Sequence, residues 1–438
     1  MPYLKLQAHL KKLIDYNKMS FYQVIIVAIC FILNMNDGID VLVVSFSGSE
    51  ILNEWGLSKT LMGYVFSAGL LGMTLGAFLI APLADRFGRR KIFITALILI
   101  SSGMFLVSVC TSYYQMLIFR FITGLGIGGI LPTLASTASE FSNEKHRDFN
   151  VSMVQAGWPV GAIFTGFFCA WAIPAHGWRF AFLIAGFVSL LMLICVSYFM
   201  SDSVEFLLKK QPANALQKIN HILRKMGHPE IDALPSPGKE IKSGRIAEIF
   251  TPEYRRSTYT LWVAVFFGFL TLYTLMSWVP NLAEESGLPF RMATYVGVFL
   301  NAGAAIGTAL LGLVAKKYGL RKSILSFMMI AFAIMVIYGN ITLSTTMIML
   351  MIFAIGVSVQ GGFNGMYATI SRVYPAEIRN SGMGLSIGVG RLGAILGPTL
   401  FGILSDAGIK ISTLFVLFSV PLLVTGFAAF SLKSSRLK

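Results

Sequence analysis

Ala84-Asp85-Arg86-Phe87-Gly88-Arg89-Arg90-Lys91 stands between two long apolar stretches, and Ala315-Lys316-Lys317-Tyr318-Gly319-Leu320-Arg321-Lys322 stands between two others, 231 residues later. Gly72 and Gly76 have counterparts at the same offset in Gly303 and Gly307, and the charged loop with Glu140 and Arg147 has a later counterpart in Pro375, Glu377 and Arg379. A chain that repeats both its loops and its small residues is read as a duplicated membrane unit. The copies differ in sign at one place, Asp85 against Lys316.

Working outward from these loops, windows of about 20 residues place spans at 21–47, 60–83, 91–110, 113–138, 149–173 and 178–200. A polar stretch at 201–256 follows, then six more spans at 257–282, 291–315, 322–340, 344–371, 380–405 and 411–433. The expected organisation is an N-terminal six-helix bundle (1–200), a linker (201–256) with one amphipathic stretch at 213–226, and a C-terminal six-helix bundle (257–438). Only 13% of the residues are charged, about half of what a soluble domain carries, which excludes an ordinary soluble enzyme.

The net charge of +15 does not indicate a nucleic-acid partner, because the basic residues sit in short clusters between spans. Of 35 Lys and Arg, 29 fall on the side that carries both termini and only Lys59, Arg179, Arg291 and Lys410 on the other. That asymmetry places both ends in the cytoplasm. The first apolar run is too long for a cleavable leader and is expected to stay. Cys30, Cys110, Cys169 and Cys195 have no metal-ligand spacing and read as packing residues.

Asp85-Arg86-Phe87-Gly88-Arg89-Arg90 resembles the cytoplasmic loop signature of the major facilitator superfamily, and Arg120 with Gly124, Gly126, Gly128 and Gly129 is similar to its fourth-helix signature. Asn36-Asp37-Gly38-Ile39-Asp40, and Gly390-Arg391-Leu392-Gly393-Ala394 leading to Gly397-Pro398, resemble the aromatic acid:proton symporter family within it. The resemblance covers almost the whole chain and implies an all-α membrane fold of twelve helices in two repeats, and an aromatic substrate.

Apart from the resemblance, position along the spans marks three groups. Asp37 lies roughly 24 Å from the inner end of span 1, and Asp40 is on the same face. Ionisable side chains at that depth cost several kcal/mol and face a partner or a watery cavity, so the pair is a candidate proton carrier. Arg120, at a similar depth in span 4, is a candidate partner, either as a permanent structural pair or as one loosened by protonation. Arg391, near the middle of span 11 with no acid on its own helix before Asp406, suits a substrate carboxylate through its planar fork.

Gln155, Trp158, Tyr273, Trp278, Asn301, Gln360, Asn364 and Tyr367 complete a candidate pocket for a planar ligand. Asp85, Arg86, Gly88, Arg89, Arg90, Glu140, Glu377 and Arg379 form a candidate gate, with Asp85 facing a helix end of the other half and the arginines reaching Glu140 only when the cytoplasmic side is shut.

The expected function is import of a small organic anion, an aromatic carboxylate above all, with protons by alternating access across a bacterial cytoplasmic membrane. No cofactor or metal is expected, the proton gradient supplying the energy, and the expected partners are substrate, protons and lipid around a monomer. Another organic acid, a dicarboxylate or nicotinate-like, is the alternative of the same kind. Export of hydrophobic compounds fits a central arginine poorly, and a sensor lacks a signalling segment. No catalytic triad or nucleotide motif occurs in the loops, so no enzymatic activity is expected.

Overall fold

The computed structural model describes residues 3–235, 246–340 and 344–432. Among them twelve helices are long and apolar enough to cross a membrane, and no strand occurs. The first six are Phe21–Phe46, Lys59–Leu79 (continued through a short turn to Phe87), Arg89–Ser108, Tyr113–Glu140, Arg147–His176 and Trp178–Phe199. The second six are Arg255–Glu285, Phe290–Tyr318, Leu320–Asn340, Thr345–Val373, Ala376–Asp406 and Ile411–Ser431. They are numbered spans 1 to 12 below. The N-terminal helix Tyr3–Tyr16 and the linker helices Val204–Lys210 and Ala215–Met226 lie at one end, here the terminal end. Pro237, Lys239, Lys242 and Arg245 of the expected linker lie outside the described residues.

Local chemistry sets the helix boundaries. Ser20 caps span 1, its hydroxyl accepting from the Gln23 N–H while the Gln23 side chain accepts from the Ser20 N–H at 2.8 Å. Span 2 was expected to run to residue 83 but stops at Leu79, because Pro82 takes part in a 3-10 turn at Ala81–Leu83. The chain reverses at Gly88, whose φ of +94° favours glycine. A Cβ there would also strike the Asp202 carboxylate, which accepts from the Arg90 N–H at 3.1 Å. Burial raises the Asp202 carboxyl above its usual range, with Arg90 acting in the opposite sense.

The repeated glycines perform the same task in both bundles. A Cβ on Gly72 or Gly76 would run into the main chain of Phe121 or Leu125 in span 4, and one on Gly303 or Gly307 into the main chain of Phe353 or Val357 in span 10. Lipid gives no hydrophobic drive for helices to associate, so backbone approach of this kind carries the packing. A bulky residue at Gly76 would force spans 2 and 4 apart.

The linker helix Ala215–Met226 buries Ile219, Ile222, Leu223 and Met226, and Lys225 lies over the Tyr22 ring at 5.0 Å. It therefore docks on the protein through an apolar stripe. At the same end Arg147 pairs with Asp15 of the N-terminal helix.

Candidate functional site

The two bundles are joined at the end opposite the termini. The Ser45 hydroxyl donates to the carbonyls of Met276 and Ser277 at 2.7 and 2.9 Å, and Asn281 donates to the Ser45 carbonyl at 3.3 Å. Asp406 accepts from the main-chain N–H groups of Lys59 and Thr60 at 3.1 and 2.8 Å, an anion at the start of span 2, while Lys59 pairs with Glu285 at 2.5 Å. Deeper, the Ser67 hydroxyl donates to the Ile395 carbonyl at 2.5 Å. At the terminal end the charged groups of both bundles, Asp85, Arg86, Lys316 and Arg379, are exposed instead.

Trp278 corrects one expectation. It is a seal residue rather than part of a pocket: fully buried, stacked on Phe401 at 5.4 Å, edge-on to Phe66 at 5.3 Å, its indole N–H donating to the Pro398 carbonyl. Beneath this seal a cavity of about 20 Å³ borders Arg120, room for about one water molecule.

The acids of span 1 have separate surroundings. The Asp40 carboxylate accepts from Asn36 at 3.0 Å, and Asn36 in turn bonds Ser189 of span 6. Arg120 donates to the Asp40 main-chain carbonyl at 3.0 Å, within electrostatic reach of its carboxylate. This group lies within the N-terminal bundle.

Asp37 is only 4% exposed, yet neither of its carboxylate oxygens has a close hydrogen bond among the described residues, Trp158 being the donor nearest in effect. Trp158 of span 5 stands beside it because Gly38 lets the helices touch: a Cβ there would collide with the Trp158 carbonyl. The cation within its reach is Arg391, from the other bundle.

Arg391 has two buried nitrogens, Nε and Nη1, without a partner among the described residues. Tyr273 and Tyr367 lie in its electrostatic reach. They terminate an aromatic row: Tyr273 to Phe269 at 5.5 Å, Phe269 to Phe363 at 4.6 Å and Phe363 to Tyr367 at 5.6 Å between ring centroids. Buried polar groups are ordinarily satisfied. A buried carboxylate and a buried guanidinium of opposite bundles, in electrostatic reach of each other and with unsatisfied atoms on both, form a place that can take a proton on one side and an anion on the other.

The remaining expected site residues are dispersed. Gln360 donates to Asn364 at 3.1 Å and Asn364 to Thr308 at 2.6 Å, a polar ladder between spans 10 and 8. Asn301 donates into its own helix at the Gly297 carbonyl. Gln155 is exposed and contributes only its carbonyl, which accepts from Asn34.

The expected gate needs a second correction. Arg89 pairs with Glu140 and also reaches Ser136, and the Arg90 guanidinium donates to the Ser197 carbonyl, all inside the N-terminal bundle. These contacts exist although the charged groups at this end are exposed, so they hold spans 3, 4 and 6 together rather than latch the halves. Arg86 leans over the neighbouring Phe87 ring at 5.1 Å, and Arg379 reaches the Tyr374 carbonyl at 3.5 Å. The Glu377 side chain lies outside the described residues.

Sequence reasoning missed Ser45, Asn281, Ser67 and Ser189, and quoted Asn36 only as part of the span 1 motif without a role. Asn36 alone carried a signal, four residues before Asp40 on one helix face. The others are single small polar residues in apolar helices.

The family model described as the Major Facilitator Superfamily matches residues 26–307 and 261–437. The chain is 28% identical to the 4-hydroxybenzoate transporter of Acinetobacter baylyi over 95% of its own length and 93% of that protein's, and 29% identical to the gallate transporter of Pseudomonas putida over 98% and 96%. Its fold matches that of a bacterial homologue of the lysosomal transporter Spinster, in an inward-facing, unoccupied conformation, with a TM-score of 0.72 over 94% of this chain and 96% of that one at 18% identity. Family, relatives and twelve membrane helices agree: the chain belongs to the Major Facilitator Superfamily and is a multi-pass membrane transporter, not an enzyme.

Proposed function

We propose that this protein imports a small aromatic monocarboxylate together with protons across a bacterial cytoplasmic membrane by alternating access, with both termini in the cytoplasm. The observation that carries this reading is that Arg391 of the other bundle is the cation within electrostatic reach of Asp37, with polar atoms of both side chains buried and unsatisfied. The relatives' substrates, 4-hydroxybenzoate and gallate, support the aromatic acid.

The coupling follows from charge. When Asp37 is ionised it holds Arg391, and an anion that took the arginine would leave the aspartate alone in the membrane, at a cost of about 3–5 kcal/mol. Protonation of Asp37 removes that cost and frees the guanidinium fork for a carboxylate. Anion and proton are therefore taken up together, and the aromatic row from Tyr273 to Tyr367 offers the ring a surface. The proton gradient is the energy source, no cofactor takes part, and one chain in lipid suffices. Counterflow in proteoliposomes, run across aromatic and aliphatic acids, tests the reading: exchange of aromatic monocarboxylates alone is expected, and equal exchange of aliphatic dicarboxylates would overturn it.

A further inference from the structure

A cavity of about 440 Å³ opens between spans 8 and 10 toward the terminal end, a volume within the range of about 300–1,000 Å³ typical of small-molecule sites. Its lining includes Thr308, Gly312 and Lys316 of span 8 and Asn364, Ala368 and Arg372 of span 10, together with the apolar Leu311, Ala315 and Leu320. Each set repeats every four residues, so each forms one helix stripe. Nothing lies within 4 Å of where a Gly312 Cβ would stand. Lys316 is exposed and makes no ion pair or hydrogen bond with the described residues. The ladder from Gln360 through Asn364 to Thr308 leads into the cavity, and Tyr367, next to Ala368, is in reach of Arg391.

We propose that this cavity is a second carboxylate site, a staging point between Arg391 and the solvent at the terminal end, with the Lys316 ammonium holding the anion beside Arg372, the other cation of the lining, and Asn364 and Thr308 as neutral hydrogen-bonding groups. The inference rests on the anion-transport reading above. Lys316 stands where the first repeat has Asp85, so the duplicated loop has become attractive to anions in the half that carries Arg391. A site that only passes its ligand on has to bind weakly, and one flexible ammonium suits that better than a buried fork.

Equilibrium binding of radiolabelled 4-hydroxybenzoate to the purified full chain tests this. Wild type is expected to bind in two phases, Arg391→Ala to keep only the weaker one, and Lys316→Gln to weaken that phase about tenfold, the scale of a charged hydrogen bond. Lys316→Arg is expected to restore it, while Lys317→Gln, whose ammonium lies over Tyr318 at 5.2 Å, is expected to leave it unchanged. Loss of all binding in Arg391→Ala, or a residual phase indifferent to Lys316→Gln, overturns the second site while the central site stands. Two phases that both ignore Arg391→Ala overturn the central site instead, and a Lys316→Gln effect would still mark the second.

Discussion

Asp37 and Asp40 occupy one helix three residues apart and are both almost wholly buried, yet they belong to different parts of the molecule. Asp40 accepts through one carboxylate oxygen from Asn36, which also bonds Ser189, and through its main-chain carbonyl from Arg120, all in its own bundle. Its other carboxylate oxygen has no partner among the described residues. Asp37 has Trp158 of its own bundle beside it and Arg391 of the other bundle as the cation in its reach, with no close hydrogen bond to its oxygens among the described residues. A charge neutralised within one rigid body does not sense the relative movement of two, whereas a charge neutralised across them does. Depth in the membrane thus marks both acids as costly, and only the location of the cation in reach distinguishes one from the other.

The largest expected effect tests that separation directly. Asp37→Asn should abolish uphill uptake driven by a proton gradient while exchange of substrate continues, as measured in proteoliposomes with and without an imposed gradient. PH-dependent accumulation by this variant would move coupling to Asp40. Next, Asp40→Asn should cost stability rather than coupling: Arg120 loses its compensating charge, at about 3–5 kcal/mol for a buried group, and thermal unfolding in detergent should shift downward. A variant that unfolds normally but no longer couples would reverse the assignment of the two acids.

A smaller effect is expected from Arg391→Lys, which keeps the charge but loses the fork. Binding of 4-hydroxybenzoate should weaken by about 1–3 kcal/mol, measured by calorimetry, and an unchanged dissociation constant would remove Arg391 from the site. The smallest concerns the ends. Asp406→Asn removes the anion from the start of span 2, worth about 1 kcal/mol, so the population should shift about fivefold toward opening at that end, visible by labelling cysteines placed on the two faces. Asp85→Asn should leave the stability of the present state unaltered, because Asp85 is exposed in it.

Much of the fold was legible because hydropathy and length act along the chain. Span 1 was expected at 21–47 and runs Phe21–Phe46, and span 6 was expected at 178–200 and runs Trp178–Phe199. Misses came where local geometry overrode hydropathy, as at Pro82 in span 2. Span 5 was expected to end at 173 but continues to His176 in spite of Pro174, which forgoes one hydrogen bond in the last turn, and Gly177 at φ +78° ends it. Even the glycine echo was readable, since Gly72 and Gly76 repeat as Gly303 and Gly307 and make the same backbone contacts in each half.

The site was legible only as an inventory. That Asp37, Asp40, Arg120 and Arg391 are buried charges follows from their positions within apolar helices, because any charge at that depth needs a partner. Which partner each one has does not follow, since helical periodicity orients a residue on its own helix and says nothing of how that helix is turned against another in the opposite bundle. Trp278 reads like Trp158 in one dimension, yet one closes the seal and the other stands beside Asp37. By itself the sequence determined twelve spans, two repeats and four charges too deep to be idle. Tertiary packing decided which acid faces the other half and which end is joined, because those outcomes depend on close contacts between residues hundreds of positions apart.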